Sequence, residues 1–104
     1  MTKAYIVGEI TVHNPEGYGQ YGQKVPGTIA QYGGNYLVRG GTSTQLEGKA
    51  HGEGKAHGVR RVVIEFASRA SAETWYNSPE YQAILPLRQA HSEGHLALVD
   101  GFDG

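Results

Sequence analysis

KAYIVGEITVHNPEGY, residues 3–18, contains the transition that decides the fold. From Ala4 to Val12 the side chains alternate, with Ala4, Ile6, Ile10 and Val12 on one face and Tyr5, Val7, Glu9 and Thr11 on the other. That is the period of a β-strand. The alternation stops at Asn14-Pro15-Glu16, a helix start. Asn accepts from free backbone amides, Pro occupies a position where its missing N–H costs nothing, and Glu favours the positive end of the helix dipole. Tyr18, Tyr21, Val25, Ile29 and Tyr32 then recur at helical spacing as a single apolar stripe. Gly17, Gly19, Gly22, Gly27 and Pro26 each weaken such a helix by ~1 kcal/mol or more relative to alanine. The pattern therefore predicts a helix kinked near Pro26, held by its buried tyrosines and closed by a left-handed cap at Gly33-Gly34.

Downstream, Asn35–Arg39 has the pattern of a second strand, with Tyr36 and Val38 facing one way and Leu37 and Arg39 the other. Gly40-Gly41 suggests a bulge or bend, and Thr42–Leu46 has the propensity to resume the strand. Arg61–Phe66 is the third strand, with Val62, Ile64 and Phe66 on one face. Ser68 can cap a short helix carrying Ala72, Trp75 and Tyr76. Ser78-Pro79-Glu80 repeats the start signal of Asn14, and the helix it opens presents Tyr81, Ile84, Leu85 and Arg88, bends at Pro86 and stops at Gly94. Leu96–Val99 is the last strand.

The resulting order, β-α-β-β-α-β, is that of an α+β domain of ferredoxin-like type: a four-stranded antiparallel sheet with its helices on one face. The other face would carry Tyr5, Val7, Val63 and either the leucines or Ala97 and Val99 of the last strand. That is too apolar for the solvated surface of a small monomer, so burial against a second copy in a two-fold homodimer is expected.

At 104 residues the chain reads as one domain, residues 1–104. It has no cysteine, which excludes disulfides and thiolate chemistry. A formal charge of -1, with both signs mixed along the chain, gives no electrostatic footprint for nucleic acid or an anionic membrane. Glu9 interrupts the first residues, which read neither as a signal peptide nor as a membrane span, so a cytoplasmic protein is expected.

Several strings, KAYIVGEITVHNPEGY, YGGNYLVRGG, RRVVIEF, NSPEYQ, Arg88-Gln89 and LVDG, together resemble a bacterial family catalogued as domain of unknown function thirteen-thirty, within the dimeric α+β barrel superfamily. The resemblance runs from about Lys3 to Gly101 and implies a ferredoxin-like protomer whose sheet packs on a partner's sheet. The superfamily so implied includes cofactor-independent monooxygenases, muconolactone-type isomerases, haem enzymes and non-catalytic stress-responsive modules, and fold alone does not choose among them. The glycine-rich first helix, Pro86 and a longer hairpin depart from the family's pattern.

Candidate chemistry rests on few residues. Arg39, at a strand end before Gly-Gly, can hold a carboxylate or enolate bidentately or complete an ion pair with Glu65. Arg88, among apolar neighbours, can anchor an anion or satisfy a partner subunit. Tyr76 and Tyr81 bracket the NSPEY turn; a phenol there can donate to an oxyanion or simply fill the core. Glu65 can be a base if desolvated, or pair with Arg39 or Arg61. His13 stands beside a helix start, in position for acid or base work or as a surface residue. His91 and His95 have i, i+4 spacing but no third ligand. These groups suit a pocket between sheet and helices, with no cofactor, that holds a small organic anion. An isomerase, decarboxylase or monooxygenase acting on an anionic or enolisable carbonyl compound needs no more, and a non-enzymatic ligand-binding or stress-responsive homodimer is the alternative.

One motif stands apart. EGKAHG occurs twice in tandem between Glu47 and Gly58, placing His51 and His57 six residues apart at the tip of the hairpin between the second and third strands. Two imidazoles with no third ligand make a weak metal site. Doubling a loop adds only ~0.6 kcal/mol of closure entropy, so a tandem insertion forming a mobile tip is the expected account.

Overall fold

The computed structural model describes residues 2–103. The elements are β1 (Ala4–Val12), α1 (Pro15–Gln31), β2 (Asn35–Arg39), β3 (Arg60–Phe66), α2 (Arg69–Tyr76), α3 (Pro79–His91) and β4 (Ser92–Asp100). The strands form one antiparallel sheet in the order β2-β3-β1-β4, the expected ferredoxin-like arrangement. The helices cover one face. Tyr21, Val25 and Ile29 of α1, Ala72 and Trp75 of α2, and Tyr81, Ile84 and Leu85 of α3 meet Ile6, Ile64 and Phe66 of the sheet in one core.

The start signals act as their chemistry requires. The Asn14 side chain accepts from the Gly17 N–H at 3.2 Å, and Ser68 and Ser78 accept from Ser71 and Tyr81 at the heads of α2 and α3. At the end of α1, Gly33 lies at φ +79°. The Gly34 and Gly33 N–H groups donate back to Ile29 and Ala30, closing a Schellman motif. As the apolar stripe predicts, α1 continues through Pro26 as one element. Proline supplies no N–H to the Gly22 carbonyl four residues back. The Arg39 guanidinium supplies a donor instead, at 2.7 Å.

The Tyr32 hydroxyl ties the end of α1 to the first turn of α3 by donating to Glu80 at 2.7 Å. This bond holds the Glu80 carboxyl below its usual pKa. A folded-state pKa that is depressed contributes stability present above the unfolded carboxylate value of ~4.3 and lost as pH falls through the folded value. Tyr32→Phe should therefore melt below the wild type at pH 7, with the gap closing at pH 3. An equal gap at both pH values would contradict the assignment.

Three boundaries differ from the sequence pattern. Leu37 is the extra residue of a bulge between Tyr36 and Val38, so Tyr36 and Arg39 share the helix side while Val38 turns to the open face. Thr42–Leu46 forms no strand; the facing segment of the connection is occupied by turns, and Leu46 is exposed. The last helix stops at His91, not Gly94, because the His13 and Asn14 N–H groups take the His91 carbonyl at 2.8 and 3.2 Å. β4 then starts at Ser92 and pairs along all of β1. Gly94 lies within that strand, where a side chain would strike the β1 backbone at Glu9 and Ile10. His91 and His95 thus fall on different elements, and the His91 ring packs on Gly17, where a Cβ would stand 2.5 Å from Nε2.

The tandem repeat folds as a succession of turns, with Gly48, Gly52, Gly54 and Gly58 all at positive φ. Its two copies have different surroundings. His51 Nδ1 lies 2.7 Å from Thr11 Oγ1 and its ring meets His95 edge-on, so the first copy covers Thr11, which is fully buried. The second copy carries His57 to the end of the sheet beside Arg60.

Candidate functional site

Tyr21 and Tyr81, from α1 and α3, bring their hydroxyls within 2.9 Å in the core. Trp75 packs against Tyr81 at 4.2 Å between ring centroids, and Tyr76 lies at 5.4 Å on another side. Burial pushes the Tyr21 phenol up, with Tyr81 adding to the effect. The Tyr21 hydroxyl is therefore a neutral donor and acceptor at physiological pH.

Arg88 lies two turns beyond Tyr81 on the same buried stripe of α3. Only 9% of its surface is exposed, and its Nε has no acceptor. Among the described residues the ion pairs join Lys3 to Glu65, His13 to Glu93, Arg61 to Glu9 and Arg69 to Asp100, leaving Arg88 without a carboxylate. Burial opposes its charge, but the hydroxyls of Tyr81, Tyr21 and Tyr76 outweigh that and hold the guanidinium above its usual pKa. A charged donor set therefore sits within a ring of phenols, with unused hydrogen-bonding capacity.

This guanidinium borders an open cleft of about 490 Å³ between α3 and β4, lined also by Tyr76, Gln89, Ser92, Glu93, Gly94 and Leu96. A second cleft of about 200 Å³, between α2 and the sheet, shares Tyr76 and Leu96 with it. The arrangement offers a fixed positive charge and a phenol around one space.

The sequence candidates divide between sites. Arg88 and Tyr76 line the cleft, and Tyr81 stands behind them, fully buried. Arg39 is exposed on β2, at the sheet edge opposite β4 and the cleft, held by the Gly22 carbonyl and stacked over Tyr36 at 4.9 Å. Glu65 lies on the opposite face of the sheet, paired with Lys3 at 3.5 Å and 3.3 Å from the Tyr5 hydroxyl, and meets neither Arg39 nor Arg61. His13 is exposed and lies 3.7 Å from Glu93 at the cleft rim. Among the described residues no group of three His, Asp or Glu side chains is placed to hold a metal, and His51 and His57 do not converge.

Sequence reasoning missed Ser92 and Glu93, because the end of α3 was placed too late. It also missed Arg60 and Tyr18. Arg60 is in phase with Val62, Ile64 and Phe66 on the helix face of β3, so the period-two pattern carried the signal of a half-buried arginine facing the helices.

The family model described as "Domain of unknown function (DUF1330)" matches residues 3–102. No curated protein matches the chain. Among solved structures, a protein of unknown function from Rhodopseudomonas palustris aligns over 99% of this chain and 85% of its own, at 18% identity and a TM-score of 0.76. SnoaB, a cofactor-independent oxygenase from Streptomyces nogalater, aligns over 100% and 97%, at 12% identity and a TM-score of 0.69. A conserved protein from Methanosarcina mazei aligns over 98% and 95%, at 16% identity and a TM-score of 0.63. At these identities the likeness shows a shared fold.

Proposed function

This chain belongs to the family described as "Domain of unknown function (DUF1330)", and we propose that it is a homodimeric small-molecule enzyme that enolises an anionic carbonyl compound in the cleft beside Arg88. The observation that carries the reading is Arg88 itself, a buried guanidinium with an unused Nε and no carboxylate, bordering a cleft. The fold shared with a cofactor-independent oxygenase supports it in class only.

The chemistry follows from charge. Removing a proton from the carbon next to a carbonyl moves the C–H electron pair onto the carbonyl oxygen, and a fixed cation lowers the energy of that enolate. Arg88 would hold the developing oxyanion, with the Tyr76 phenol as a second donor, and a base from solvent would take the proton, because the β4 register turns the Glu93 side chain to the Thr11 face of the sheet, where it pairs with His13. Returning the proton to a different atom gives isomerisation. Decarboxylation passes through the same enolate, with carbon dioxide leaving in place of the proton, and oxygenation consumes the enolate with molecular oxygen.

A second copy would cover the open face of the sheet. Val7, Val38 and Val99 are there 39%, 42% and 47% exposed, beside Val63 and Ala97. Light scattering should then give about twice the chain mass of 11.2 kDa. A monomer mass would remove the dimer from the account.

The reaction is tested by proton NMR of phenylpyruvate in deuterium oxide. The wild type should accelerate exchange of the protons next to the carbonyl, and Arg88→Met should slow it by at least ~10-fold, the effect of losing charge-assisted hydrogen bonds worth ~1.5 to 3 kcal/mol. No acceleration by the wild type, with phenylpyruvate still bound, would favour a non-enzymatic ligand-binding module.

A further inference from the structure

We infer that Arg60, Tyr18 and His57 form a second ligand pocket, separate from the Arg88 cleft, that takes a small apolar carboxylate. A cleft of about 340 Å³ lies where the end of β1, the head of α1 and the second copy of the repeat meet. Val12, Pro15 and Val59 give it aliphatic walls; Tyr18, His57 and Arg60 give it its polar groups.

Arg60 has the same signature as Arg88. Its Nε is buried without an acceptor, and among the described residues it has no carboxylate partner. Its guanidinium stands 5.8 Å from the Tyr18 ring centroid. The backbone is shaped around it: Gly40 lies at φ +67°, and any side chain there would collide with the guanidinium. A cation placed in a partly apolar cleft with no counter-ion in the chain calls for one from outside.

The class of ligand follows from the lining. One guanidinium and one imidazole match the two oxygens of a carboxylate better than the three free oxygens of phosphate. The aliphatic walls and the Tyr18 ring match an apolar body. The second hexapeptide copy thus has a task the first does not share: His57 faces this cleft, whereas His51 caps Thr11.

The test is a heteronuclear NMR titration of the full-length protein with sodium benzoate and, separately, with inorganic phosphate. Benzoate should give saturable shifts at Tyr18, Gly40, Val59 and Arg60, with phosphate at least tenfold weaker. Arg60→Gln should weaken benzoate at these residues at least tenfold. His57→Ala, a change at an exposed loop position, should weaken it several-fold and keeps the test decisive if Arg60→Gln does not fold. Arg88→Met should leave these shifts in place, so that failure of the Arg88 cleft and failure of this pocket are distinguishable. The pocket is overturned by the absence of saturable benzoate shifts, by undiminished shifts in both variants, or by their loss in Arg88→Met. Phosphate matching benzoate would overturn the carboxylate assignment.

Discussion

Arg88→Met is expected to keep a urea midpoint close to that of the wild type while losing its hold on an anionic ligand. The guanidinium is almost fully enclosed and its Nε has no acceptor; the neighbouring tyrosine hydroxyls, not a carboxylate, offset its desolvation. Methionine keeps the apolar stem and fills the space with an adaptable, uncharged group. Replacing buried charged groups with apolar ones of similar volume is often neutral or stabilises a protein by ~1 to 4 kcal/mol. The Tyr21 and Tyr81 hydroxyls remain paired with each other, so the substitution leaves neither without a partner. The same change removes charge-assisted hydrogen bonds to a ligand worth ~1.5 to 3 kcal/mol, a loss of about tenfold to a hundredfold in affinity. Binding is lost while stability is kept. A structural arginine would behave differently, because breaking a buried pair costs ~3 to 5 kcal/mol. Urea denaturation with an unchanged m-value, set beside a binding curve, separates the cases.

Trp75→Ala is expected to have the largest effect on stability. Trp75 is fully buried at the junction of all three helices and the sheet, with Phe66 at 5.5 Å, Tyr81 at 4.2 Å and Tyr76 at 6.2 Å between ring centroids. Its Nε1 donates to Thr28 of α1 at 3.0 Å. Truncation leaves a cavity whose walls cannot fully collapse and costs ~3 to 5 kcal/mol. Domains have only ~5 to 15 kcal/mol to lose, so the variant should be largely unfolded at 37 °C or melt far below the wild type. Trp75→Phe keeps the ring contacts and gives up the hydrogen bond, a loss nearer ~1 kcal/mol. Near-ultraviolet circular dichroism during thermal melts reports both. A Trp75→Ala loss under ~1 kcal/mol would mean that the helix layer is not held here.

The strand periods and the three Asn or Ser caps were legible in the sequence because they are local: an alternating face and a capping side chain need no distant partner. The features that escaped are set by contacts between elements. The bulge at Leu37 follows from pairing with β3, the early end of α3 from the amides of residues 13 and 14, and the donor that replaces the Pro26 N–H comes from Arg39 on β2. Arg39 looked like a ligand anchor from its place before Gly-Gly, and the structure gives it a backbone carbonyl instead. Arg88 was visible on its apolar stripe, but its lack of a counter-ion emerges only when every nearby carboxylate has been assigned. Glu65 is the converse case, a candidate base lying on the face away from the helices.

Calorimetric titration of phenylpyruvate into the wild type and into Arg88→Met tests the central claim most directly, because both proteins are expected to be folded. The account predicts saturable binding by the wild type and at least tenfold weaker binding by a variant of equal or greater stability. Equal affinity for the two proteins, or no binding by the wild type, would contradict it.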